Sequence, residues 1–159
     1  MKTTYNIGIS DWKIGVAGDV LVTYALGSCV GICMYDKIHK IGGLSHIMLP
    51  DSNSIADISG LNRMKFADTA IPDMYQKLVQ QGASNMTCKI AGGALMFATS
   101  SDKFNIGERN VVAVRAALSK LRVPIIASDT GLNFGRTVFF YPENGVVEVK
   151  STTQGTKQL

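Results

Sequence analysis

Between Val20 and Leu49 three apolar runs follow one another across connections of only a few residues. Val20-Leu21-Val22-Thr23-Tyr24 is apolar and β-branched, and Gly27-Ser28 supplies a turn. Cys29-Val30-Gly31-Ile32-Cys33-Met34-Tyr35 is closed by Asp36-Lys37, and Lys40 to Leu49 is ended by Pro50. Runs of this kind are strands. Parallel neighbours need a crossover of about a dozen residues or more, so short turns favour antiparallel pairing.

The rest of the chain alternates helical and strand-like patterns. Residues 64–81 recur near the helical period through Phe66, Ala70, Met74 and Leu78, with Gly82 as a C-cap. Pro72 inside that stretch predicts a kink or a split. A strand is predicted over 86–91, leading into Gly92-Gly93. A second helix is predicted from Glu108 to Arg122, with Val111, Val114, Ala117, Leu118 and Leu121 on one face. A buried strand over 123–128 follows. Residues 136–141 and 146–150 then read as a hairpin around Glu143-Asn144-Gly145. Residues 51–60 and 99–105 read as polar loops. The expected class is α/β: a layered sandwich with a mixed, largely antiparallel sheet covered by two main helices. Residues 1–150 form one domain, and 151–159 read as a polar, disordered tail.

Composition narrows the function. The chain has 159 residues, 46% hydrophobic and 18% charged, enough to bury a sizeable core. Net charge is +4, but Lys and Arg are scattered and few aromatics lie among them, so no nucleic-acid surface is expected. No stretch is long and apolar enough to span or insert in a membrane. The N-terminal residues carry no secretion signature, and three cysteines, an odd number, argue for a reducing compartment. The expectation is a cytoplasmic protein.

Cys29 stands apart from the other two cysteines because it follows Gly27-Ser28 directly. A glycine there permits a sharp turn that presents the thiol and nearby N–H groups, candidate donors for an oxyanion, to a substrate. His46 comes 17 residues later, far enough for a strand, a turn and a return strand. A thiol is a weak nucleophile near neutral pH unless a base holds its proton, and an imidazole can do so. Thr23, six residues before Cys29, is placed to orient that imidazole. Cys33 and Cys88 read as core residues, and His39 as a solvated turn residue. Cys29 and Cys33 lie about 13 Å apart along a strand, and no second Cys or His pair completes a tetrahedral set, so no metal is expected. No cofactor motif is present: the Gly-Gly pairs match neither a P-loop nor a dinucleotide fingerprint.

With Thr23, Gly27-Ser28-Cys29-Val30 and His46-Ile47-Met48-Leu49-Pro50 in place, the sequence resembles the CheD family of chemoreceptor glutamine deamidases. The likeness continues through Ala91-Gly92-Gly93-Ala94-Leu95-Met96-Phe97 and Asn105-Ile106-Gly107-Glu108-Arg109-Asn110. It resumes at Asp129-Thr130-Gly131 and Gly135-Arg136-Thr137-Val138, and closes with Glu143-Asn144-Gly145. The resemblance implies a Cys-His-Thr site at Cys29, His46 and Thr23, with Gly27 and Ser28 forming the turn beside it. It also implies a fold akin to the deamidating bacterial toxins, chemoreceptors as substrate and the CheC phosphatase as partner. Where the family often has a second glycine after Gly131, this chain has Leu132. Phe104, an aromatic in a polar loop, is a candidate partner contact. The expected reaction is hydrolysis of glutamine side chains to glutamate with release of ammonia. The alternatives are a non-catalytic adaptor that binds CheC and receptors, and a cysteine hydrolase of other specificity.

Overall fold

The computed structural model describes residues 2–53, 60–96 and 105–159. In chain order its elements are β1 (Thr4–Asn6), β2 (Asp11–Val16), β3 (Val20–Leu26), β4 (Val30–Asp36) and β5 (Ile41–Ile47). A 3₁₀ turn (Arg63–Lys65), α1 (Ala67–Gln80), β6 (Thr87–Gly92) and α2 (Ile106–Lys120) follow. The chain then runs through β7 (Ile125–Thr130), β8 (Arg136–Tyr141), β9 (Val146–Ser151) and β10 (Gly155–Gln158).

The strands form two five-stranded sheets, ordered β1-β3-β8-β9-β10 and β2-β5-β4-β6-β7. Both are mixed: β1 pairs with β3, and β6 with β7, in parallel, while the other pairings are antiparallel. Both helices pack against the second sheet, α1 on β2 and β5 and α2 on β4 and β7. The layers are therefore helices, sheet, sheet.

Two cores follow from this stacking. Between helices and sheet lie Val30, Ile32, Met34, Ile47, Ile71, Met74, Leu78, Val114 and Leu118. Between the sheets lie Leu21, Leu26, Cys29, Cys33, Leu44, Val138 and Phe140. Strand β4 feeds both, since side chains alternate across a strand. Val30, Ile32 and Met34 face the helices, while Cys29 and Cys33 face the other sheet. That is why this run is apolar at nearly every position. On α1, Ala67, Ala70, Ile71, Met74 and Leu78 are buried at helical spacing, and each large side chain among them contributes about 1.5–3 kcal/mol by leaving water.

Several sequence expectations take a different form. The antiparallel β4–β5 hairpin forms as expected, but β3 does not pair with β4. It pairs with β8 instead, and residues 27–29 carry the chain from one sheet to the other. Pro72 lies within a continuous α1; the break falls earlier, at Phe66, whose backbone is extended. Strand β7 lies at a sheet edge with Ile126 59% exposed, because a crossover through α2 returns the chain parallel to β6 at the rim. The polar tail carries β10, which pairs with β9 through backbone groups and so needs no apolar side chains. Phe104, residues 54–59 of the first polar loop and most of the second lie outside the described residues.

Candidate active site

Thr23 faces the inter-sheet space by strand alternation with Leu21, and a bulge just after it brings Leu26 back to the same face. Thr23 pairs with Val138 and Leu26 with Arg136, so one more residue is used on β3 than on β8. Ala25 takes a left-handed conformation, φ 60°, which is strained for a residue with a Cβ. Tyr24 and Ala25 bulge outward while Thr23 and Leu26 both stay buried. Bulges bend a strand and re-aim its side chains, and here the bend feeds straight into the Gly27-Ser28-Cys29 crossing.

All three carbonyls of that crossing are held. The N–H of Ala94 donates to Gly27 O at 2.9 Å and that of Gly93 to Cys29 O at 2.8 Å. The Asn110 side chain on α2 donates through Nδ2 to Ser28 O at 2.9 Å and to Met48 O at 3.0 Å. Gly92, at φ 113°, brings the 92–94 segment this close: a Cβ there would lie 2.3 Å from Cys29 O. Gly27 is needed for a reason other than the one its sequence position suggested. Its φ is not left-handed; instead Met96 packs over it, 3.0 Å from where a Cβ would be.

The N–H side of the turn is different. Gly27 N–H donates to Ala25 O at 3.1 Å and is occupied. Among the described residues, neither Ser28 N–H nor Cys29 N–H donates to a carbonyl or to another residue's side chain outside the strand ladders. Of the donors expected at this turn, these two remain for a ligand oxygen.

His46 sits on β5 directly opposite Gly31 of β4. Cys29 precedes Gly31 by two residues, so it and His46 share one face as diagonal neighbours. Such neighbours are about 7–8 Å apart at the backbone and closer at the side chains. The absent side chain of Gly31 makes room for Leu26, whose Cδ1 lies 3.2 Å from where a Cβ would be. The His46 ring is fully buried and reaches the opposite sheet, where Nδ1 lies 2.6 Å from Thr23 Oγ1. The Thr23 hydroxyl has one proton and gives it to Ile7 O at 2.8 Å. It must therefore accept from His46, which places the proton on Nδ1. Nε2 then carries the free lone pair, and it is buried with no partner among the described residues.

Burial sets the electrostatics of the pair. It pushes the Cys29 thiol up, against a smaller lowering by its own backbone N–H. It pulls His46 down to about 4. At neutral pH Cys29 therefore rests as a thiol and His46 as a neutral imidazole, and the two are not hydrogen-bonded to each other.

The other candidates separate as their surroundings dictate. Cys33 and Cys88 are buried thiols that burial pushes up, one facing each core. His39 is half-exposed and bonded to Asp36 at 2.7 Å. Among the described residues no three His, Cys, Asp or Glu side chains gather into a metal-binding group, and no helix is long and apolar enough to cross a membrane. Sequence reasoning missed Ile7, whose carbonyl fixes the Thr23 hydroxyl, and Asn110, whose carboxamide joins two site strands. The only signal for Asn110 was its place in one of the stretches that carry the family likeness.

The fold and this constellation define a class: an α/β protein with a cysteine and a histidine at the rim of two stacked sheets and a threonine behind the imidazole. Comparison with known proteins is more specific. The family model described as CheD chemotactic sensory transduction matches residues 48–151. A relative from Caldanaerobacter subterraneus subsp. tengcongensis, named "Probable chemoreceptor glutamine deamidase CheD", is 48% identical over 157 residues, covering 96% of each chain. Relatives of the same name from Clostridium novyi and Lachnoclostridium phytofermentans are 46% and 45% identical, covering 99% and 100% of both chains. This chain belongs to the CheD family.

Proposed function

We propose that this chain hydrolyses glutamine side chains of chemotaxis receptors to glutamate, with Cys29 as nucleophile, His46 as base and Thr23 as its orienting partner. The observation that carries the reading is the Ile7–Thr23–His46 series of hydrogen bonds, which leaves Nε2 as the free ring nitrogen on the strand face shared with Cys29. The names of the relatives supply the substrate class.

The chemistry runs in two halves. Cys29 Sγ attacks the side-chain carboxamide carbon while His46 Nε2 takes the thiol proton. The carbonyl oxygen becomes an oxyanion held by the Ser28 and Cys29 N–H groups. As the C–N bond breaks, the proton on Nε2 passes to the nitrogen and ammonia leaves a thioester. Water, its proton taken by Nε2, then adds to the thioester carbon. Loss of the thiolate and return of the proton restore Cys29 and leave glutamate. Each cycle consumes one water, and no metal or redox cofactor takes part.

The receptor gains one negative charge per glutamine, which changes its helix packing through like-charge repulsion. CheC is the protein partner of this reading, and the cytoplasm, where receptor signalling domains are accessible, its location. The test is ammonia release from a glutamine-bearing receptor fragment, with mass spectrometry of the fragment. Wild-type protein releases ammonia and converts amide to acid, and Cys29→Ala does neither. A folded wild type that releases none across several receptors supports the adaptor reading instead, and a Cys29→Ala variant with full activity removes Cys29 from the mechanism.

A further inference from the structure

Asn110 does not touch the space between Cys29 and His46 in the way a nucleophile or base would, yet it is fully buried on α2. Both of its Nδ2 protons are committed to backbone carbonyls of the site strands, Ser28 on the turn before β4 and Met48 just past β5. Asparagine is a poor choice for a helix interior on propensity alone, and burying its amide costs free energy unless it is bonded. Its Oδ1 remains unpartnered among the described residues. An apolar residue would pack there more simply.

The geometry points to a positioning role: Asn110 aims the oxyanion donors. This inference rests on the hydrolase reading above. A peptide unit is planar and trans, so its C=O and N–H point in opposite directions. The Ser28 carbonyl and the Cys29 N–H belong to one such unit. By drawing Ser28 O toward α2, Asn110 turns Cys29 N–H away from α2. The preceding unit obeys the same rule: Ala94 N–H holds Gly27 O, which aims Ser28 N–H. The two restraints differ in kind. The Ala94 bond is backbone to backbone and survives any substitution except proline, whereas the Ser28 bond depends wholly on one side chain. By holding Met48 O as well, the same carboxamide sets the spacing between the turn and the strand that carries His46.

Oxyanion donors work by being fixed before the charge develops, and losing one costs about 10²- to 10³-fold in kcat. Freeing a donor to wander costs less than deleting it. For the full chain carrying Asn110→Ala we expect kcat for ammonia release from a receptor fragment to fall by about 10- to 100-fold, with KM little changed. Alkylation of Cys29 by iodoacetamide forms no oxyanion, so its rate stays within about threefold of wild type. Asn110→Ser keeps a donor in a smaller side chain and guards against a variant that fails to fold.

A second readout needs no turnover. In the ¹H–¹⁵N spectrum the Cys29 amide is a single sharp resonance in wild type and broadens or splits in the Asn110 variants, while amides of β8 and β9 stay in place. Unchanged kcat with an unchanged Cys29 amide overturns the inference. So does a fall in alkylation rate as large as the fall in kcat, which means the whole site has collapsed. If wild type itself releases no ammonia the hydrolase reading fails, and the Cys29 amide still decides whether Asn110 fixes that peptide.

Discussion

The Thr23 hydroxyl and the His46 imidazole lie 2.6 Å apart although their strands, β3 and β5, belong to different sheets. The bond therefore spans the inter-sheet core, and packing of the two sheets sets its length. Neither side chain has water to fall back on, since both residues are fully buried. Thr23→Val keeps the shape but leaves Nδ1–H buried and unpaired. That costs about 1–3 kcal/mol of stability and frees the ring to change tautomer, with a fall in kcat on the order of 10²-fold. Thr23→Ser retains the hydroxyl and most of the activity. Urea unfolding and ammonia release on both variants check this; equal losses from Ser, which lacks the methyl, and Val, which lacks the hydroxyl, mean that packing at Thr23 and not its hydrogen bond to His46 sets the effect.

The pH profile follows from His46. With its pKa pulled to about 4 by burial, the imidazole stays neutral and able to accept a proton well below the usual histidine range. The thiol is raised, so no thiolate–imidazolium pair forms at rest. We expect kcat/KM to be level from about pH 5.5 to 8, falling on the acid side with a midpoint near 4. An acid limb near 6.5 instead places a solvated histidine in the free enzyme.

Stability carries the same signature. A histidine with a depressed folded pKa binds fewer protons than its unfolded form between 6.5 and about 4, so stability rises with pH across that window and is lost as pH falls through it. The full effect is about 3 kcal/mol. His46→Gln removes the titration. Unfolding free energies at pH 7 and 4.5 differ clearly for wild type and little for the variant; parallel curves contradict the assignment to His46.

A second acid transition belongs to Asp36, at the end of β4. Burial alone raises its pKa. Hydrogen bonds from Ser84 N–H, the His39 ring, and the His39 and Ile38 N–H groups outweigh that and hold it at about 2. The carboxylate thus ties the β4–β5 turn to the loop before β6. Its contribution is complete above 3.8, the unfolded value, and fades as pH falls toward 2. Asp36→Asn keeps some acceptor capacity and costs about 1–3 kcal/mol at pH 7. Equal wild-type and variant stability at neutral pH removes Asp36 from this role.

How much of this was readable in the chain depends on the range of each interaction. The α1 and α2 periodicities, the β4–β5 hairpin and the β8–β9 hairpin are local, and the sequence places them closely. The apolar run of β4 is equally legible, but it does not say that one face meets helices and the other a second sheet. The β3–β4 step failed for the same reason: Gly27-Ser28 looks like a hairpin turn, and the strained Ala25 bulge that sends the chain across the sandwich has no glycine to announce it. The tail carries no periodic apolar residues, so only its backbone pairing to β9 reveals β10. At the site, Thr23, Cys29 and His46 were legible as residue types at suitable spacing. Ile7 acts through a carbonyl and Asn110 through contacts 62 and 82 residues distant, and neither is visible to spacing.

Leu132 offers the sharpest test of a local departure from the family resemblance. It adopts φ 60°, lies 67% exposed, and follows Gly131 at φ 80°. Its carbonyl accepts from Leu95 N–H at 2.8 Å, and Gly131 N–H donates to Gly92 O at 2.9 Å, so the loop is pinned to the segment that braces Cys29. The left-handed conformation is thus imposed by backbone bonds, whatever side chain stands there. A leucine pays about 1–2 kcal/mol for it, and a glycine loses about 0.5–1 kcal/mol more chain entropy on folding. The balance favours Leu132→Gly by about 0.5–1 kcal/mol, a rise in Tm of about 2–3 °C for a chain of this size. Leu132→Ala keeps the Cβ that causes the strain and gains nothing. Thermal melts of the two variants separate the causes: an alanine gain equal to the glycine gain means that removing an exposed apolar side chain, not relieving the backbone, raises Tm.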